Sequence, residues 1–244
     1  MEKTCLVVLF LWLLPSLIAQ DVGVAVDKTV TLSEWNVVAF VNTSGGGASF
    51  QYGWTPDNYN KHFWEIDFLY SFHSKQVRVR NSYYPSAKSF CYGKLYDLYF
   101  LRGGYGYQRT IHHKPYWGGV RIRYTLSGGF SLGMGLPMYI MAMNAGSGIS
   151  TERYDPDKHN TDNIVGRGPY FAGIGKTALR PGFYAKTGLN FDFSQKDLVI
   201  HALEIGFTID MIFPPLQQMA FNKPKPLYLC AYISYNIGRR RGVH

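Results

Sequence analysis

The chain has 244 residues and a formal net charge of +9, with 46% hydrophobic and 16% aromatic residues but only 17% charged ones. Beyond residue 20 no stretch reaches the roughly 18 uninterrupted apolar residues of a membrane-spanning helix, so no helical span is expected. The basic excess comes without a nucleic-acid-binding motif and is scattered, apart from Arg239, Arg240 and Arg241. It therefore argues against nucleic acid and for anionic lipid, lipopolysaccharide or a partner protein.

The chain opens MEKTCLVVLFLWLLPSLIAQD. Lys3 precedes an apolar run from Cys5 to Leu14, Pro15 and Ser16 break it, and the small Ala19 follows. This is the pattern of a secretory signal peptide, expected to be residues 1–19 and cut near Ala19; the competing reading is an uncleaved anchor. Residues 20–34 are expected to form a periplasmic segment. An exported chain rich in aromatics and glycine leaves three classes: a secreted β-sandwich, a lipocalin-like barrel or a transmembrane β-barrel. The mature chain keeps only Cys91 and Cys230, which read as two thiols or a single bridge, not as a disulfide framework.

Period-two alternation divided by turn residues then recurs along the chain. Strands are expected over Trp35 to Asn42, Gly47 to Trp54, Lys61 to Phe72 and Gly93 to Tyr107. A long segment from Trp117 to Met143 reads as one strand, or as a hairpin turning at Ser127-Gly128-Gly129. Phe183 to Phe193, Leu198 to Phe213 and Leu227 to Ile237 complete eight. The barrel is expected to occupy 35–238, with 239–244 as a basic periplasmic tail. Residues 73–92 and 144–180 form the longest connections, and with one exception long and short connections alternate, as in outer-membrane barrels. Trp35, Trp54, Trp64 and Trp117 all fall at the short-turn end, which suits an interfacial girdle.

One face of each strand is large and apolar, as in Leu203/Ile205/Phe207/Ile209 within HALEIGFTIDMIF. The other face carries charges of both signs at mid-strand. Eight strands enclose an interior that side chains fill. The expected fold is therefore all-β: an eight-stranded antiparallel transmembrane β-barrel whose lumen holds Glu65, Asp67, Arg102, Arg121, Arg123, Lys186, Glu204 and Asp210 as ion pairs. Lys186 and Glu204, neighbours across the SQKD turn, are expected to be the firmest pair. Arg121 and Arg123 have Glu65, Asp67, Glu204 and Asp210 as candidate partners.

The segments GKLYDLYFLRGGYGYQRTI (93–111), WGGVRIRYTLSGGFSLGMGLPMYI (117–140), ERYDPDKHNTDNIVGRG (152–168) and PGFYAKTGLNFDF (181–193) resemble a family of small outer-membrane β-barrel proteins of Bacteroidota. The resemblance spans most of 35–241. It implies an accessory subunit of a larger outer-membrane machine for barrel assembly, secretion or uptake, and it brings no catalytic residue set. The closing GRRRGVH departs from the aromatic terminus usual in such barrels.

No cofactor is expected. His112-His113 are too close in sequence to converge on one metal ion. Glu152, Asp155, Asp157, His159 and Asp162 lack the glycine and closing glutamate of a calcium loop. The basic loop 73–92 carries His73, Lys75, Arg78, Arg80 and Lys88 interleaved with Tyr83 and Tyr84, and Arg78, Arg80 and Lys88 are its candidate lipopolysaccharide contacts. Nothing in sequence joins His201 or Ser127 to an acid. The resulting reading is a non-catalytic barrel in the outer membrane. It meets lipid and lipopolysaccharide and docks another outer-membrane protein through loops 73–92 and 144–180. A lipid A-modifying enzyme is the alternative, and a narrow pore is the third reading.

Overall fold

The computed structural model describes residues 32–57, 59–84, 87–114, 119–144, 148–195 and 198–242. The expected signal peptide (1–19), residues 20–31 and Trp117 lie outside them. The strands are β1 (Leu32–Asn42), β2 (Gly45–Thr55), β3 (Asn60–Ser71), β4 (Arg78–Val79), β5 (Phe90–Cys91), β6 (Tyr96–His112), β7 (Arg121–Pro137), β8 (Tyr139–Asn144), β9 (Gly148–Arg153), β10 (Ile164–Arg167), β11 (Ala178–Asp192), β12 (Val199–Leu216) and β13 (Lys225–Gly242). Eight of them close a barrel in the order β1-β13-β12-β11-β7-β6-β3-β2, and each neighbouring pair is antiparallel. Among the described residues no helix is long and apolar enough to cross a membrane.

Alternation carries through to burial. In β12 the side chains from Ala202 to Ile212 alternate buried and exposed at every residue. Ile205, Phe207 and Ile209 are exposed, while Glu204, Thr208 and Asp210 are buried. The same holds in β3, where Trp64, Ile66 and Phe68 point out and Glu65 and Asp67 point in. An apolar exterior around a polar interior is the inverse of a water-soluble barrel and suits a hydrocarbon surrounding, where closure leaves no unpaired strand edge.

The barrel exceeds its expected limits at both ends. β1 begins at Leu32, and β13 runs through Arg239, Arg240 and Arg241 to Gly242. The arginines are thus strand, not tail, because Arg240 turns inward to meet buried carboxylates. β6 likewise continues to His112, past the Tyr107 end expected for that strand.

The segment 117–143 is neither one strand nor a hairpin at the glycines. Gly128 and Gly129 remain paired to both neighbours. The barrel strand instead ends at Pro137, which has no N–H to continue a ladder. After Met138 the chain leaves the barrel as β8, the centre of a three-stranded sheet ordered β10-β8-β9. The connection 73–92 adds the two-stranded ribbon β4–β5. The long connections are therefore folded, with a core of Phe90, Met138, Ile140, Ala142, Tyr154 and Ile164.

Closure of β1 on β13 is tight. A Cβ at Gly238 would lie 2.0 Å from Asn36 Oδ1 and 2.2 Å from the Trp35 carbonyl, whereas one at Gly103, on the outward face, meets nothing within 4 Å. Gly238→Val should abolish the heat-modifiable mobility of the folded barrel on gels, and Gly103→Val should retain it. Equal behaviour of the two variants would refute the steric account.

Candidate functional site: a filled lumen beneath a folded cap

The inward side chains form three layers along the barrel axis. The middle layer holds Glu65 and Asp67 from β3, Arg102 from β6, Lys186 from β11, and Glu204 and Asp210 from β12, all buried. Arg102 forks onto Asp210, with Nε donating to Oδ1 at 2.8 Å and Nη2 to Oδ2 at 2.6 Å. This two-pronged geometry, available to a planar guanidinium, makes it the firmest pair of the layer. Asp67 lies farther off, 3.8 Å from Arg102 Nη1.

Lys186 stands 3.5 Å from Glu65 and 3.9 Å from Glu204. The expectation that Lys186–Glu204 would be firmest is therefore corrected. The register places Thr208 opposite Lys186 and Asn190 opposite Glu204, so the lysine reaches its carboxylates diagonally. Neutral donors complete both acids. Glu65 accepts from Ser127 Oγ at 2.6 Å, Tyr184 OH at 2.9 Å and Gln51 Nε2 at 3.2 Å. Glu204 accepts from Tyr232 OH at 2.6 Å and Asn190 Nδ2 at 3.0 Å.

The lower layer, toward the short turns, centres on Glu34 and Asp192. Lys61 pairs with Glu34. Arg240 donates from Nε to Glu34 at 3.1 Å and from Nη2 to Asp192 at 2.5 Å. Lys114 approaches Asp192 at 3.4 Å. Arg123 sits 3.9 Å from Glu34 and 3.8 Å from Asp192, so its partners are not those anticipated among Glu65, Asp67, Glu204 and Asp210. Arg121 stands opposite Asp192 in the register and is half-buried near the rim.

The two ionic layers offset each other. The middle gathers the carboxylates of Glu65, Asp67, Glu204 and Asp210 around Arg102 and Lys186, an excess of acid. The lower gathers Lys61, Lys114, Arg123 and Arg240 around Glu34 and Asp192, a matching excess of base. Strand alternation signalled the lower layer too: Lys61 is in phase with Glu65, and Arg240 with Asn236. Glu34 and Arg240, which complete the layer, lie just beyond the expected barrel limits of 35–238.

The third layer is apolar. Phe40, Leu69, Leu98, Phe100, Ile212 and Leu216 fill the lumen toward the long connections. Above it Asp97 binds Lys94 at 2.6 Å and accepts from Tyr70 OH at 3.1 Å and from Arg167, which lies 3.7 Å over the Tyr170 ring. This cluster ties the cap to the barrel mouth. Arg78, Arg80 and Lys88 are exposed on the cap. Among the described tryptophans, Trp35 and Trp64 point outward at the short-turn end, aligned through Tyr52, with Trp54 half-exposed beside His62.

The serine and histidine singled out in the sequence, Ser127 and His201, do not meet. Ser127 donates to Glu65 inside the lumen, while the His201 ring meets Tyr235 OH at 3.1 Å on the outer side. Ser150 donates to Glu152 at 2.7 Å, and Glu152 lies 3.7 Å from His159 Nε2. The carboxylate thus sits between hydroxyl and imidazole, whereas a nucleophile–base–acid order needs the imidazole in the middle. Among the described residues no three of His, Cys, Asp and Glu converge on a metal position, and Cys91 and Cys230 are buried free thiols.

No known family profile and no curated protein matches the chain. Solved barrels resemble it in shape. Neisserial surface protein A is 10% identical, with 87% of this chain and 97% of that one aligned at a TM-score of 0.39. Ail, the attachment invasion locus protein of Yersinia pestis, solved with the heparin analogue sucrose octasulfate, is 8% identical over 87% and 99% of the two chains at 0.40. The N-terminal β-barrel domain of Pseudomonas aeruginosa OprF is 8% identical over 88% and 100% at 0.35.

Removing one partner of a buried pair leaves the other uncompensated, at a cost on the order of 3–5 kcal/mol. Arg102→Met should lower the unfolding free energy of the detergent-folded protein by about that amount in urea titrations. Adding Asp210→Leu should restore a large part of it. A single-variant loss below about 1 kcal/mol would mean that the fork is not what neutralises Asp210.

Proposed function

We propose that the chain is a non-catalytic outer-membrane β-barrel that serves as an accessory or structural subunit of a larger outer-membrane complex. The observation that carries this reading is the combination of a lumen filled from end to end with a cap that has its own core. An interior packed with paired charges of both signs and stoppered by Phe40, Leu98 and Phe100 offers no route for solute. A folded cap is a surface held ready for recognition. It exposes apolar side chains that its own core does not use: Tyr83 at 83%, Phe171 at 74% and Ile174 at 64%. Exposed apolar side chains such as Phe171 and Ile174, close in sequence to the exposed base Lys176, suit a protein partner in the same membrane. The apolar exterior, and the resemblance to small barrels of Bacteroidota, support the outer-membrane location.

The test is affinity purification of the full-length protein from native membranes in mild detergent, followed by mass spectrometry. A stoichiometric large partner is expected. The triple variant Tyr83→Ser, Phe171→Ser, Ile174→Ser should lose it while keeping heat-modifiable mobility. A monomeric protein whose deletion strain shows altered lipid A would overturn this reading in favour of a lipid-modifying enzyme. In planar bilayers the purified protein should give no conductance steps, and stable steps would favour the pore.

A further inference from the structure

Among the described residues, the rim at the long-connection end has one low point. β1 and β2 join through Thr43 and Ser44 alone, while taller connections rise on both sides, from β3 and from β12. These two connections meet across the low turn. Phe72 N donates to the Ser44 carbonyl at 2.7 Å, Gln218 Nε2 to the Ser71 carbonyl at 3.1 Å, and Lys75 Nζ to Asn222 Oδ1 at 3.4 Å. The result is a bay in the rim, walled by residues 72–76 on one side and 222–225 on the other.

The walls of the bay are basic. Lys75, Lys223 and Lys225 are exposed and His73 is half-buried. Burial, and then the ammonium groups of Lys225, Lys75 and Lys94, hold the His73 imidazole below its usual range. Lys94 is already matched by Asp97. Among the described residues neither Lys75 nor Lys225 forms an ion pair with a carboxylate, so the bay carries uncompensated positive charge. Its floor is continuous with the outward apolar face. Val41 precedes the low turn, Phe72 adjoins His73 and Leu227 follows Lys225, exposed by 69%, 40% and 47%. Cationic groups directly above an apolar strip match an amphiphile whose anionic head sits over its acyl chains.

We propose that this bay binds the phosphorylated headgroup of an outer-leaflet glycolipid, with phosphate among Lys75, Lys223 and Lys225 and acyl chains against Val41, Phe72 and Leu227. The inference rests on the outer-membrane location proposed above. It keeps Lys75 of the basic loop 73–92 but moves the contact from Arg78, Arg80 and Lys88 to the bay that Lys75 shares with Lys223 and Lys225. Arg78 and Lys88 belong to the ribbon region that packs on the cap sheet, where Lys88 O accepts from Arg167 N.

The experiment is native mass spectrometry of the full-length protein in mild detergent, titrated with bisphosphorylated lipid A and with its dephosphorylated counterpart. Wild type should retain the bisphosphorylated lipid at least ~10-fold more strongly, and K75Q/K223Q/K225Q should lose about that factor. R78Q/R80Q/K88Q should stay within about twofold of wild type, since none of the three residues belongs to the segments 72–76 and 222–225 that wall the bay. Heat-modifiable mobility establishes that each variant is folded. Unchanged retention by K75Q/K223Q/K225Q, loss in R78Q/R80Q/K88Q instead, or equal binding of the dephosphorylated lipid would overturn the inference. Full displacement by millimolar inorganic phosphate would reassign the bay to free phosphate. A protein that fails to fractionate with the outer membrane would instead defeat the location on which the inference rests.

Discussion

Closure of β1 on β13 is the constraint from which the rest of the structure follows. A strand edge presents unpaired N–H and C=O groups, and a hydrocarbon surrounding supplies no water to satisfy them. The register from Leu32↔Gly242 to Asn42↔Tyr232 removes that edge over the whole of β1. Closing at eight strands then fixes the bore. The interior is too narrow to stay open and too polar in sequence to collapse as a hydrocarbon core. The inward side chains must therefore fill it, and every charge among them must find a partner.

How they do so explains the layered lumen. The fork of Arg102 on Asp210, the hydroxyl and amide donors around Glu65 and Glu204, and the grip of Arg240 on Glu34 and Asp192 each meet a desolvation cost that an isolated charge could not. Neither ionic layer is neutral by itself, and the excess acid of one stands next to the excess base of the other. The Arg240 link matters doubly. It joins β13 to Glu34 on β1 across the closing seam, so the electrostatics of the lower layer reinforce the hydrogen-bond ladder that seals the barrel.

The upper end follows different rules because it is not confined by the barrel wall. Once Pro137 ends β7, the chain is free to build its own sheet, and Met138, Ile140 and Ala142 bury one face of it against Phe90, Tyr154 and Ile164. Asp97, with Lys94, Arg167 and Tyr70, fixes this cap over an apolar stopper. Among the described residues, the rim drops at the two-residue turn between β1 and β2. The exception to the alternation of connection lengths is thus a structural opening beside the lipid-facing surface.

The sequence by itself determined which face of each barrel strand is wet. A period of two is local, and Glu204 and Asp210 alternating with Ile205, Phe207 and Ile209 can be satisfied in only one sense once the exterior is apolar. It also determined the strand count and the short-turn placement of Trp35, Trp54 and Trp64, since turn residues and amphipathic rings act within a few positions. Only the tertiary structure decided who pairs with whom. Lys186 meets Glu65 more closely than Glu204, and Arg123 turns to Glu34 and Asp192, because partners across a closed lumen are set by shear and bore, not by sequence distance. The tertiary structure also turned the polar stretch 144–180 into β9, β10 and the start of β11. Those short strands carry weak alternation of their own and exist because β8 offers them a ladder and a core to cover.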